Sequence, residues 1–199
     1  FDGSAWSTVA ETLTGSDGRY LFTNAPSLSS GQRYYVLFGP NNTNPDLVYA
    51  WYGPDITAYT AGVAQEGGTF DIANVALLSP DNGATVTLPV TLIWQMRGVP
   101  GDSYAAGLFD TTGDDEWGTP LLGAVDRVTI NALPGGASYG HLYGWYVDVY
   151  AAADSFGTSY FYRQIRFASG AASAAAGAAP EEAMRGLLQR AEAGKTIRR

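Results

Sequence analysis

The stretch DIANVALLSPDNGATVTLPVTLIWQ, residues 71–95, decides how the chain is divided. An apolar run ends at Leu78, the turn formers Pro, Asp, Asn and Gly follow, and a second β-prone run leads to Trp94. Asp, Asn and Gly favour the tight reversals that separate strands. Pro89 cannot donate to a strand ladder, so it marks a bulge or a change of sheet. The stretch predicts the end of one β-module and the start of another, with Trp94 as a core residue of the second.

The composition of the whole chain is also that of a β-protein. Its 199 residues include 25 Gly, 10 Pro, 13 Tyr and 5 Trp, which favours short strands joined by many turns. A hydrophobic fraction of 46% is enough for sizeable cores. We therefore predict an all-β fold of two tandem antiparallel β-sandwich domains, residues 1–78 and 79–168. A linker at 169–179 and a short amphipathic helix within 180–199 follow.

Charge and missing residue types exclude several classes of protein. The net charge is -8 and Lys195 is the only lysine, so the chain has no basic face with which to bind nucleic acid. The absence of cysteine excludes disulfides, thiol catalysis and Cys-ligated zinc. No run of about 18 apolar residues predicts a membrane span. The first residue is Phe1 rather than methionine, which we interpret as a processed or excised form of a secreted, extracellular or cell-surface protein.

The first module is predicted from a hairpin pattern near its start. The turn Gly-Ser-Asp-Gly at 15–18 separates two strand-like runs, Trp6–Leu13 and Arg19–Thr23. A third strand is predicted in RYYVLFGP, residues 33–40, where apolar side chains occupy both faces.

These residues carry a family resemblance. T-x-S-D-G-R-Y-x-F at 14–22 and G-Q-x-Y-x-V at 31–36 resemble the transthyretin-like β-sandwich of carboxypeptidase-regulatory and collagen-binding-B-type modules, and the likeness extends over 12–38. That family begins with one or two strands that would precede Phe1. The resemblance therefore implies a module that lacks its opening strands, either truncated or completed by another segment.

The second module is similar to a fibronectin type III or immunoglobulin-like domain of bacterial surface proteins over 79–168. Further strands are predicted in SYAAGLFD, EWGTPLLG and VTINALP. In YGWYVDVYA the residues Trp145, Val147 and Val149 share one face, as in a half-buried strand. In SYFYRQIRFA, at 159–168, Arg163 interrupts the apolar face, and we expect it at an edge or paired with an acid such as Asp148. The apolar residues of that strand are predicted to be Phe161, Ile165 and Phe167.

Several aromatic residues that look exposed suggest a binding surface. The irregular stretch at 41–68 carries Trp51 and Tyr52 among turn formers, either packed over the sandwich or used in contact. Exposed aromatic patches mark interaction sites, so Trp51, Tyr52 and Trp117 are candidates for contact with a polysaccharide or another partner.

No catalytic or metal site is predicted. His141 is the only histidine and lacks the partners that zinc requires. The acidic run Asp114, Asp115 and Glu116 could supply oxygen ligands to calcium but lacks the spacing of a calcium loop, so a solvated hairpin tip is the simpler interpretation. There is no G-x-S-x-G motif, and we expect a protein that is not an enzyme and needs no cofactor.

The tail and the incomplete first module together suggest self-association. EEAMRGLLQRAEAGKTIRR predicts a helix that is marginal alone and needs a surface on which to dock. A sandwich without its opening strands exposes an edge that can receive a strand from a neighbour. We expect a homo-oligomer or polymer, a structural subunit of a bacterial surface or extracellular filament. The alternative is a carbohydrate-binding or adhesive module. The candidate self-association residues are Phe1, Trp6, Met184, Leu187, Leu188 and Ala191.

Overall fold

The computed structural model describes residues 1–39, 48–71, 75–111, 116–151, 155–159 and 162–169. These residues form strands and turns and contain no helix, so the all-β class is confirmed for this part of the chain. The predicted helix in 180–199 and the linker after Ser169 lie outside the described residues. The strands are β1 Leu37–Phe38, β2 Val48–Tyr52, β3 Leu77–Ser79, β4 Ala84–Val86, β5 Val90–Trp94, β6 Ser103–Asp110, β7 Glu116–Gly118, β8 Arg127–Ile130, β9 Leu142–Tyr150, β10 Phe156–Ser159 and β11 Arg163–Phe167.

The larger of two sheets has eight strands built around β9. Strand β6 pairs antiparallel with one edge of β9 over eight residues and carries β7 on its far side. The other edge of β9 is shared by two strands: Phe156 of β10 pairs with Tyr150, and Ile165 of β11 pairs with Tyr143. Beyond β10 lie β2 and β1, and beyond β11 lies β4, which runs parallel to it. Within the strand predicted at 159–168, residues 163–167 form β11 and Ser159 is the last residue of β10.

The smaller sheet has the order β3-β5-β8 and is antiparallel. Residues of both sheets meet in one apolar cluster, in which Trp94 of β5 and Trp145 of β9 are fully buried. The predicted alternation of β9 is confirmed, because Trp145, Val147 and Val149 are completely inaccessible while the residues between them are half-buried. Ile165 and Phe167 complete this core, and Phe161 lies outside the described residues.

The two predicted modules share sheets and core. Strand β3 spans the boundary predicted between Leu78 and Ser79 and pairs with β5. Strand β2, from the first predicted module, pairs with β10 of the second. Trp51 of β2 lies in the same cluster as Trp145. The division into two tandem sandwiches is not confirmed, because an alternating pattern identifies a strand but does not identify its neighbours.

The predicted N-terminal hairpin is wrong in its strands and right in its turn. Gly15 N donates to Arg19 O at 2.7 Å, which closes the reversal. The flanking runs Trp6–Leu13 and Arg19–Thr23 are extended but form no ladder, and Leu13 is 91% exposed. The third predicted strand is reduced to β1 and an isolated bridge between Tyr34 and Ile56. The pattern is typical of strands, but in the described chain no strand pairs with either run.

Two further predictions are corrected by the contacts. The stretch at 41–68, predicted to be irregular, contains β2, whose five apolar or aromatic residues before Gly53 lie among turn formers. Arg163 does not pair with Asp148; its Nη1 donates to the carbonyl oxygens of Leu78 and Pro80, both at 3.0 Å, and contacts Asp81 at 3.3 Å. The turn before β4 is thereby attached to β11.

Glycines on the outer face of the large sheet lie beneath aromatic rings. A Cβ added to Gly144 of β9 would lie 2.6 Å from the ring of Tyr162 and would overlap the ring of Phe109. Both rings are buried. The glycine is required here because the rings occupy the space of a side chain.

We predict that Gly144→Ala lowers the free energy of unfolding by about 1–3 kcal/mol, since an added methyl group overpacks a filled site. Gly135→Ala is the matched control, because no atom lies within 4 Å of its added Cβ. Urea unfolding of the three proteins measures the difference. Equal midpoints for Gly144→Ala and Gly135→Ala would show that the rings move aside freely.

Candidate interaction site at the N-terminal edge

The first residue of the chain lies beside the strand that leads into β1. Phe1 N donates to Arg33 O at 2.8 Å and Arg33 N donates to Phe1 O at 3.2 Å. These two bonds are an antiparallel pair on the side of residue 33 that faces away from β2. Residues 33–38 thus form the outermost strand-like segment at this end of the sheet, and we call it the outer edge.

Alternation along the outer edge leaves backbone groups pointing outward. Tyr34 and Val36 bond toward β2 and its continuation, since Tyr34 N donates to Ile56 O and Gly53 N donates to Val36 O, each at 2.9 Å. In an antiparallel ladder the intervening residues direct their N–H and C=O groups to the other side. Leu37 is such a residue, is 43% exposed, and has no backbone partner on its outward side among the described residues.

A second unpaired element precedes the turn at 15–18. Residues 6–14, which we call the N-terminal arm, are extended and make no backbone hydrogen bond to any other described residue. Val9 is 45% exposed and Leu13 more so. An extended segment with β-prone residues and free backbone groups has the chemistry of a strand without a sheet.

Aromatic packing attaches the start of the arm to the outer edge. Trp6 contacts Phe1 and Tyr35, with ring centroids 5.2 and 4.6 Å apart. The guanidinium of Arg33 lies 5.0 Å from the ring centroid of Phe1 and 5.1 Å from that of Trp6. The same guanidinium forms an ion pair with Asp55 at 3.1 Å. Phe1 and Trp6, predicted to take part in self-association, are therefore half-buried anchors, and the arm after Trp6 is the accessible part.

The predicted helical contacts cannot be placed. Met184, Leu187, Leu188 and Ala191 lie outside the described residues.

Two of the three predicted polysaccharide contacts, Trp51 and Tyr52, are buried, whereas Trp117 is half-buried and its contact stays a prediction. Trp51 and Tyr52 are 3% and 1% exposed. Trp51 packs in the main core beneath Arg97, whose guanidinium lies 4.6 Å from the centroid of the tryptophan ring. Tyr52 stacks on Phe156. Trp117 is half-buried and packs against the main core. Trp51 and Tyr52 lie on β2, a strand that was not predicted. Trp117 lies on β7, for which no inward face was predicted.

A buried ionic cluster was not predicted from the sequence. Arg97 contacts Asp102 at 2.6 Å and Asp71 at 2.9 Å, and the side chains of Arg97 and Asp102 are each only 3% exposed. Burial disfavours the charged form of Arg97 and by itself would lower its pKa. The hydrogen bonds and negative charge of Asp102, together with the negative charge of Asp71, outweigh burial and raise the pKa of Arg97. The cluster ties the segment before residue 72 to the loop before β6, so we assign it a structural role.

Some of the polar residues considered for catalysis or metal binding lie in the described chain. His141 Nε2 lies 2.7 Å from Asp110 Oδ1, which links the end of β6 to the loop before β9. No group of three or more His, Cys, Asp or Glu residues suited to a metal ion occurs among the described residues. Asp114 and Asp115 lie outside them, and Glu116 begins β7. The described part of the chain also contains no helix long and apolar enough to cross a membrane.

Comparison of the chain with family models, curated proteins and solved structures found no match. The resemblances to transthyretin-like and fibronectin type III modules therefore stay predictions. The function has to be argued from the contacts and exposed surfaces of the chain itself.

We predict that Arg97→Met lowers the free energy of unfolding by about 3–5 kcal/mol, because it leaves the buried carboxylate of Asp102 without its cation. The matched control is Arg127→Met, which breaks an exposed pair with Asp126 and is expected to lower the free energy of unfolding much less than Arg97→Met. Chemical denaturation of both variants checks the comparison. Similar losses would mean that the buried pair is no stronger than the exposed one.

Alkaline unfolding is expected to depend on Tyr104. Burial raises the pKa of Tyr104 above its ordinary value of 10.0, and Asp102 adds to the rise. Because the folded pKa is the higher one, this contribution to stability is complete below pH 10 and is lost as pH rises through the folded pKa. We predict that the urea midpoint falls above pH 10 and that Tyr104→Phe makes the fall shallower. The exposed Tyr139→Phe should leave the profile unchanged; identical profiles for all three proteins would contradict the assignment.

Proposed function

We propose that this chain is a non-enzymatic structural subunit of a bacterial cell-surface or extracellular filament, and that copies associate by strand addition at the N-terminal edge. The observation that carries the proposal is the pair of incomplete β-elements on one chain. The arm is extended and has no backbone partner among the described residues, and the outer edge directs backbone groups of Leu37 away from β2. The outer edge has backbone groups to which an added strand can bond, and the arm is an extended segment that can serve as that strand.

Strand addition supplies the missing hydrogen bonds without new folding. An extended peptide that adds to an exposed sheet edge gains main-chain bonds, and alternate side chains determine which peptide fits. Within the arm, Val9 and Leu13 lie on the same side of an extended segment, since they are separated by an even number of residues. Their exposed side chains would be covered when the arm pairs with an edge.

The two elements differ from each other, which favours a polymer over a closed dimer. A contact between unlike surfaces is heterologous, and repeated head-to-tail contacts form a ring or an open filament. Two contacts between subunits are then possible. One joins the arm to the outer edge, both near the N-terminus, and the other uses the predicted helix in 180–199. Location outside the cell belongs to the same proposal and rests on the predicted likeness to surface modules.

We predict that the purified full chain forms concentration-dependent oligomers and that the double variant Val9→Lys with Leu13→Lys abolishes them, because charged side chains on an edge oppose pairing. The matched control places lysine at two exposed apolar positions elsewhere, Val63→Lys with Leu121→Lys. Size-exclusion chromatography with light scattering and electron microscopy measure the outcome. A monodisperse monomer at the highest soluble concentration, or an arm variant that assembles like the control, would contradict the proposal.

The tail is tested in the same assay. Leu187→Lys with Leu188→Lys disrupts the predicted apolar stripe without touching the arm. Loss of assembly only in this variant would transfer the contact from the edge to the tail.

A further inference from the structure

The turn before β4 contains a reactive pair of residues that the proposed assembly does not use. Asn82 is followed by Gly83, and no other asparagine in the sequence is followed by glycine. In such a pair the backbone nitrogen of the glycine can attack the side-chain carbonyl carbon of the asparagine, because glycine has no side chain to shield its nitrogen. Asn82 is exposed, so water can reach the product of that attack.

The geometry of the turn requires the glycine. Ala84 N donates to Asp81 O at 3.1 Å, which makes Asn82 and Gly83 the two central residues of a four-residue turn. Gly83 has a φ of 81°, a value that residues with a side chain rarely adopt. No described atom lies within 4 Å of a Cβ built on Gly83, so the turn is open on this side. The residue that lets the chain reverse is therefore also the residue that makes Asn82 reactive.

One residue of β11 holds both reacting groups. Gln164 N donates to Asn82 Oδ1 at 2.8 Å, and Gly83 N donates to Gln164 O at 2.7 Å. For the attack, Gly83 N has to lose its proton and approach Asn82 Cγ. The first bond directs the side-chain carbonyl of Asn82 toward β11, and the second engages the N–H group that has to be deprotonated. The attack therefore requires that the turn first separate from β11.

Arg163 attaches the chain just before the turn to the same strand. Its Nη1 donates to Leu78 O and Pro80 O, each at 3.0 Å, and lies 3.3 Å from Asp81 Oδ1. After the turn, β4 pairs in parallel with β11. Separation of the turn breaks these local bonds and leaves the long ladder between β6 and β9 intact.

We infer that Asn82 is a site of spontaneous deamidation, and that attachment of the turn to β11 controls the rate in the folded protein. Gly83 N forms a bond to Asn82 Cγ, and the bond from Cγ to the side-chain amide nitrogen breaks. That nitrogen leaves as ammonia and takes the proton that Gly83 N has lost, and a succinimide ring remains. Water then opens the ring at either carbonyl carbon and gives aspartate or isoaspartate at position 82, so water is the only co-reactant.

The two products differ in their effect on the fold. Aspartate keeps a side-chain oxygen that can accept from Gln164 N, so the turn can close again. Isoaspartate carries the main chain through the former side-chain carbonyl carbon, which adds a carbon atom to the backbone and displaces Gly83 N from Gln164 O. The isoaspartate form therefore loses the attachment at the point where β4 begins to pair with β11.

Peptide mapping by mass spectrometry tests the inference on the full chain, incubated in the same mildly alkaline buffer with and without denaturing urea. In urea we expect Asn82 to be converted faster than Asn24 and Asn131, which are exposed but followed by alanine. In the folded chain Asn82 should react about tenfold more slowly than in urea, because the two bonds to Gln164 have to break first.

Arg163→Met tests the control by the turn, since it removes the attachment before the turn and leaves the reacting pair in place. It should raise the rate in the folded chain and leave the rate in urea unchanged. The matched control is Arg127→Met on β8 of the smaller sheet, which should change neither rate. The rates are compared at a temperature at which the amides of β9 exchange hydrogen as slowly as in the unchanged chain, so that only the turn differs.

The assignment of the site is overturned if Asn24 or Asn131 is converted before Asn82 in urea. Control by the turn is overturned if the folded chain reacts as fast as the chain in urea, or if Arg163→Met and Arg127→Met react alike when folded. None of these residues belongs to the arm or the outer edge, so the outcome does not depend on whether the chain assembles.

Discussion

Backbone pairing along both edges of β9 is the constraint on which the rest of the structure depends. Strand β6 satisfies one edge over eight residues, and β10 and β11 divide the other. Each polar backbone group of a central strand needs a partner, because burying it unpaired costs free energy comparable to a lost hydrogen bond. Because β10 ends at Ser159 and β11 begins at Arg163, the one edge of β9 supports two branches, with β2 and β1 beyond β10 and β4 beyond β11.

The same constraint explains where the chain is unfinished. The branch through β10 ends at β1, and among the described residues Phe1 pairs with the outward side of residue 33. The arm that follows makes no backbone hydrogen bond to another described residue. An open edge and an unpaired extended segment are normally protected in a monomer. Their coexistence is the observation from which assembly by strand addition is proposed.

The ion pairs and hydrogen bonds that join segments distant in the chain were not predictable from the sequence. Arg97 pairs with Asp102 and Asp71, and Arg163 bonds the turn that contains Asp81. Nothing in the local sequence identifies these partners, since Asp71 and Arg97 are separated by 26 residues and by a change of sheet. The burial of Trp51 and Tyr52 was not predicted for a related reason. Because β2 was not predicted as a strand, both residues were assigned to a loop, and their burial depends on the strands that pair with β2.

The sequence by itself determined the all-β class, the turns at 15–18 and 80–83, and the inward face of β9, because these depend on local residue types and on a period of two. It also determined the full extent of β6, whose apolar run is bounded by polar residues. Only the tertiary structure decided that β2 joins β10, that β3 crosses the predicted boundary, and that the runs flanking the first turn remain unpaired. The physical reason is that strand formation is a local preference, whereas strand pairing is a contact between segments distant in the chain.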